Sequence, residues 1–235
     1  VKLPGKQPEA YIKVIAGSGF STIVRIYADP VKSNEQWATI TNPGKSNPVS
    51  KKEPTSGWVL NETFSNNENK WPIDSNALDQ FKLNDNRYII SSKRETATYI
   101  TQVFTLDDSH DYKIESVMNN FTGENNNAFG LVLGRGGDKA LYFLATNSGS
   151  FRIDETTENG INIIKDFTYS NAIRAADKSI KLGRENKFTL LKLKDTWSFR
   201  INDREIYTCK ARPFYGKKFG FYLPPKGSLF INSFK

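Results

Sequence analysis

From residue 87 to residue 234 the chain alternates apolar and polar side chains in short runs, and Gly, Asn and Asp separate one run from the next. A period of two puts successive side chains on opposite faces of a strand, so this pattern predicts antiparallel strands joined by tight turns. The runs are RYIIS (87–91), TYITQVFT (98–105), YKIESVMN (112–119), AFGLVLG (128–134), ALYFLAT (140–146), SFRID (150–154) and INIIKDF (161–167). They continue with KFTLLKLK (187–194), TWSFRI (196–201), REIYTC (204–209), KFGFYL (218–223) and SLFINSF (228–234). In TWSFRINDREIY, Trp197, Phe199 and Ile201 share one face, Ser198 and Arg200 the other, and Asn202-Asp203 forms the two-residue turn. One short helix is expected in SNAIRAADKSI (170–180), started by Ser170 or Asn171. Many strands with so little helix imply an all-β fold of two packed antiparallel sheets, a β-sandwich.

Residues 1–57 read differently. YIKVIA (11–16) and TIVRIYA (22–28) pair across GSGF, and QWATI (36–40) is a third strand. TNPGKSNPVSKKEPTSG (41–57) has no periodicity and the composition of a linker. The expected organisation is an N-terminal β extension and linker over 1–57, then one sandwich domain over 58–235. Forty residues bury too little to stand alone, so the extension either docks on the sandwich or ends a preceding module; docking is the preferred reading.

Hydrophobic residues make up only 37% of the chain, but aromatics reach 13%, and a few buried rings can carry a core. Cys209 is the only cysteine, so no internal disulfide can form. The net charge of +8 comes from scattered Lys and Arg rather than from a basic cluster, which argues against nucleic acid as a partner. No run of about 18 apolar residues suggests a membrane span. This chain carries no visible signal peptide, and it begins with Val1.

In order along the chain, FSNNENKW (64–71), the G-L-V-x-G run from Gly130 to Gly134, the W-x-F-x-I-N run from Trp197 to Asn202, G-F-Y in KFGFYL and the closing F-I-N-S-F resemble one known group. It is the concanavalin A-like lectin/glucanase superfamily in its laminin G-like jelly-roll form, and the resemblance covers roughly 58–235. The resemblance implies that Phe64 and Trp71 plug the entry to the sandwich. It also places the polar loop between them near the rim where such folds bind ligands, which makes Trp71 a candidate ligand residue. The superfamily holds lectins, carbohydrate-binding modules, glycosidases, sugar lyases and adhesion domains, so fold alone leaves function open.

Retaining and inverting glycosidases need two carboxyl groups about 5–5.5 Å or about 6.5–9.5 Å apart. The Glu-x-Asp-x-x-Glu strand of jelly-roll glucanases is absent. The nearest cluster, Asp154, Glu155 and Glu158, runs into a turn, and Glu115 stands alone on its strand. His110 is the only histidine and lies in a turn-like run, so it reads as a surface residue and argues against a catalytic triad or a His-rich metal site. Cys209 ends an apolar strand and reads as packing. GSGF and GRGGDK lack the Gly-Lys-Ser/Thr of a phosphate loop. No cofactor is expected, although NNENK or DSNALD offers oxygens for a structural calcium.

Sugar binding requires less: a ring for C–H stacking, with polar side chains around the hydroxyls. Tyr142 opposes Leu141 and Phe143 by alternation, and Arg152 opposes Phe151 and Ile153. With Gln102, Glu115 and Arg135 they line one sheet face in this reading, whose alternative is a plain solvated face. NET (61–63) and NFT (120–122) match the N-glycosylation pattern. The expected function is a non-catalytic binding module for carbohydrate, outside the cytoplasm. The alternatives are a glycoside hydrolase or 3-keto-disaccharide hydrolase-like enzyme, and an adhesion or scaffold domain that binds a protein partner.

Overall fold

The computed structural model describes residues 13–17, 20–24, 60–122, 126–176 and 183–235. The chain divides into two units, Val1–Ser50 and Lys51–Lys235. In the first, β1 (Lys13–Gly17) pairs antiparallel with β2 (Phe20–Val24), and Gly17 lies opposite Phe20. Gly17 and Phe20, the ends of GSGF, therefore belong to the strands. The expected strand at 36–40 and the linker at 41–57 lie outside the described residues.

The larger unit contains β3 (Asp74–Ser75), β4 (Asp79–Asn84), β5 (Arg87–Ser92), β6 (Thr98–Val103), β7 (Tyr112–Thr122), β8 (Ala128–Gly136) and β9 (Lys139–Thr146). It continues through β10 (Ser150–Thr157), β11 (Gly160–Tyr169), β12 (Asn186–Leu193), β13 (Thr196–Ile201), β14 (Arg204–Lys210), β15 (Lys218–Leu223) and β16 (Ser228–Phe234). They form two antiparallel sheets, ordered β11-β10-β9-β8-β15-β6 and β14-β13-β12-β7-β16-β5-β4-β3. Late strands β15 and β16 lie between early ones in each sheet, so the layers are closed by distant pairings. The result is an all-β jelly-roll sandwich.

Alternation explains which side chains fill it. Leu131, Phe143, Ile153 and Phe221 from the six-stranded sheet meet Ile114, Phe188, Leu190 and Phe199 from the eight-stranded sheet in one continuous core. Phe143 lies edge-on to Phe188 at 5.3 Å and to Phe199 at 5.2 Å, the geometry ring quadrupoles favour. Asn202 and Asp203 hold φ of 50° and 66°, so the β13–β14 hairpin turns as its sequence predicts.

One expectation is corrected. The described part of 170–180 is turn rather than helix: Ser170 accepts from Ala172 through its hydroxyl, and Asn186 takes the Arg174 N–H at 2.8 Å and donates to its carbonyl. These side-chain bonds compete with a helical ladder. In DSNALD, Asp79 begins β4 and accepts from Arg94 and Ser92.

The loop from Phe64 to Trp71 closes around Glu62, whose residue is 4% exposed. Its carboxylate accepts from the Phe64 N–H at 2.6 Å, Asn69 Nδ2 at 2.7 Å and Trp71 Nε1 at 3.1 Å. The first of these bonds helps hold Phe64 at φ 58°, a conformation that costs a non-glycine residue roughly 1–2 kcal/mol. Both rings are then delivered to the core, where Trp71 touches Phe64, Tyr88, Phe104, Phe221 and Phe234.

Candidate ligand-binding face

Residues directly opposite one another in an antiparallel sheet share a face, so the register of the six-stranded sheet can be read as rows. One row on the side away from the core is Tyr99, Tyr222, Gly130, Leu144 and Arg152. The next is Thr101, Gly220, Val132, Tyr142, Asp154 and Ile163. Beyond a bulge in β8, Val103, Lys218 and Arg135 start a third.

Gly130 and Gly220 leave bare backbone in the middle of this face. A Cβ at Gly130, where φ is 157°, would stand 2.1 Å from the Phe143 carbonyl oxygen. Three tyrosine rings converge on this face: Tyr99 on Tyr222 at 5.5 Å, and Tyr142 at 5.9 Å from each of them. Val132, Ala140 and Leu144 pack with Tyr142 and Tyr222 in a second apolar cluster, separate from the core between the sheets. Tyr99 remains 39% exposed, so the cluster presents an aromatic edge to solvent.

Charged groups flank the rings. The Arg135 guanidinium lies 5.2 Å over the Tyr99 ring and donates through Nε to the Gly137 carbonyl at 3.0 Å. On the other side Arg152 Nε donates to Asp154 Oδ2 at 2.5 Å, its Nη1 lies 4.0 Å from Asp166, and its guanidinium covers Phe167. Burial pushes the Asp154 carboxyl up, and Arg152 opposes it. Burial raises the Tyr99 phenol to about 12, helped by Tyr142 and Tyr222 and opposed by Arg135. Tyr222 is raised as well, first by burial and then by the Asp154 charge.

The structure brings together Arg135, Tyr142 and Arg152 from the sequence-derived set and separates the other three. Glu115 lies on the outer face of the eight-stranded sheet, in the row Glu115, Thr189, Arg200 and Glu205, where it meets Lys113 at 4.0 Å and Thr189 at 3.4 Å. Gln102 faces inward and donates to the carbonyls of Asn69 and Lys70, both at 2.7 Å, tying the 64–71 loop to β6. Trp71 is 1% exposed and offers no surface to a ligand. Tyr99, Tyr222 and Asp154 complete the face; alternation in TYITQV and KFGFYL carries the signal for the two rings.

The other candidates are also placed. In DETTE, Asp154 faces outward and Glu155 inward. Glu155 accepts from Asn162, Tyr215 and Arg212, while Glu158 pairs with Lys139 at 2.8 Å. His110 is exposed beside Asp107, and Cys209 is half-buried with its thiol pushed up by burial. In NNENK, Asn67 caps the Trp71 N–H at 2.8 Å and Asn69 binds Glu62. Among the described residues no group of three or more His, Cys, Asp or Glu is placed to hold a metal. Asn61 is exposed and Asn120 is fully buried, so the two glycosylation patterns differ in access.

No protein-family model matches the chain, and no curated protein matches it by sequence. Solved structures do. A xylan β-1,4-xylosidase from Bacillus halodurans C-125 covers 80% of this chain at 9% identity with a TM-score of 0.50, and the chain spans 41% of that enzyme. A Bacteroides ovatus GH16 protein of a mixed-linkage glucan PUL covers 76% of this chain and 99% of its own, at 9% identity and TM-score 0.49. The carbohydrate-binding module CBM66 from Bacillus subtilis covers 63% and 80%, at 12% identity and TM-score 0.42. The likeness is one of fold.

Proposed function

We propose that the larger unit is a carbohydrate-binding module of the concanavalin A-like type, acting outside the cytoplasm, with its binding surface on the outer face of the six-stranded sheet. The observation that carries this reading is the Tyr99, Tyr142 and Tyr222 cluster, flanked by Arg135 and the Arg152–Asp154 pair. An exposed ring edge stacks on the C–H face of a pyranose, and phenol, guanidinium and carboxylate groups around it match sugar hydroxyls in both donor and acceptor character. Stacking and hydrogen bonding suffice for binding without any bond being broken.

A second reading, hydrolysis, is favoured by one observation: Asp154 has its carboxyl raised by burial, and it shares Arg152 with the exposed Asp166. A raised carboxyl is what a general acid needs. Binding is preferred because Arg152 contacts both carboxylates, Glu155 faces the opposite way, and Glu115 belongs to the other sheet. Binding and turnover measured together on a polysaccharide panel separate the two readings. The proposal expects binding without product. Sugar release that Asp154→Asn abolishes would establish hydrolysis instead.

A further inference from the structure

We infer that the ligand of this face is a saccharide bearing an anionic group, a carboxylate or a sulfate, which Arg135 and Lys218 receive. The inference rests on the carbohydrate reading and adds the charge of the ligand to it.

Lys218 of β15 is directly opposite Arg135 of β8, so two cations stand side by side on adjacent strands and share the outer face. Like charges in that position repel. Little in the described structure relieves them. The carboxylate nearest Arg135 is Asp138 Oδ1 at 3.9 Å, and that residue is fully exposed, where an ion pair contributes little. Lys218 is exposed and has no ion pair or side-chain hydrogen bond among the described residues. On its other side in the row is Val103, which carries no charge.

Arg135 is nevertheless held in place. Its Nε is tied to Gly137, and its guanidinium lies over Tyr99, so the fork is oriented before any ligand arrives. The terminal nitrogens keep donors available for an oxyanion, the group whose geometry a guanidinium matches with two parallel bonds. Arg152 differs, because Asp154 and Asp166 already neutralise it. The face thus sets two carboxylates against one guanidinium at the Arg152 end and is positive at the Arg135 end. A sugar ring over the tyrosines with its anionic substituent toward Arg135 fits both ends.

The test measures binding of the full chain to polygalacturonate, dextran sulfate, neutral dextran and neutral xylan, at low and high salt. The inference expects binding to one or both of the first two, weakened by salt, and the two arms distinguish carboxylate from sulfate. Arg135→Met should weaken it at least about tenfold, and Arg135→Lys should recover only part of the loss because it restores charge without the fork. Lys218→Met should reduce the salt dependence, while Lys82→Met, an exposed change in β4 of the other sheet, should leave binding unchanged. Thermal denaturation of each variant confirms that it is folded. Equal losses from Arg135→Met and Lys82→Met would mean non-specific attraction and overturn the inference. Binding to neutral glycans alone would overturn it and leave the carbohydrate reading standing, whereas binding to none of the four would remove both.

Discussion

Trp71 donates its indole N–H to Glu62 at 3.1 Å inside the sandwich, and this bond joins the start of the domain to its aromatic core. The same carboxylate also serves Phe64 and Asn69, so one acidic side chain satisfies three donors. Glu62→Ala would orphan them, at roughly 1–3 kcal/mol for each buried group left unpaired. The expected result is a loss of about 3 kcal/mol in chemical denaturation with the sheets otherwise intact. A loss under about 0.5 kcal/mol would show that the loop does not depend on this residue.

Tyr99 and Glu115 occupy opposite outer faces, which makes them a matched pair for locating the ligand. Tyr99→Ala should lower glycan affinity about tenfold, because a stacked ring contributes on the order of 1 kcal/mol or more. Glu115→Gln should leave affinity unchanged. Isothermal titration of both variants with the same oligosaccharide checks the pair.

The tyrosine cluster also predicts alkaline behaviour. The Tyr99 phenol is raised to about 12, so above the ordinary value of 10.0 the folded state holds a proton that the unfolded chain releases. Its contribution is complete below 10.0 and is lost as the pH climbs toward about 12. Tyr88 and Tyr112, raised further by burial, act in the same direction. A phenolate titration should show delayed ionisation in the folded protein, and Tyr99→Phe should remove one late-titrating group.

At acid pH the sign is the same as for any depressed carboxylate. The hydrogen bonds from Arg94 hold the Asp79 carboxyl below its ordinary value of 3.8, with burial opposing and Ser92 assisting. Stability from this pair is present above 3.8 and disappears as the pH falls through the lower folded value. Asp79→Asn should therefore cost about 1–2 kcal/mol at neutral pH and flatten the stability profile below about pH 4. An unaltered acid profile in the variant would contradict the pairing.

The strands were legible because period-two alternation is local. Each run read from residue 87 onward coincides with one of β5 to β16, whereas β4, in DQFKLN, was hidden among polar residues and turn signals. Alternation fixes parity within a strand but not which sheet the strand joins. Glu115 and Tyr142 thus looked compatible with one face, although β7 and β9 belong to different layers. The convergence of Tyr99 and Tyr222 depends on β6 pairing with the much later β15, which no local pattern reveals. The resemblance makes Trp71 both a plug and a ligand candidate; its ring is 1% exposed, as a plug requires, and its indole N–H on the buried Glu62 holds it inward.

The most direct measurement is a nuclear magnetic resonance titration of the full chain with an oligosaccharide it binds, following backbone and side-chain signals on both sheets. Binding on the six-stranded sheet perturbs Tyr99, Arg135, Tyr142, Arg152 and Tyr222 and leaves Lys113, Glu115, Thr189 and Arg200 undisturbed. Perturbations confined to that second group would put the ligand on the eight-stranded sheet and contradict binding at the tyrosine cluster.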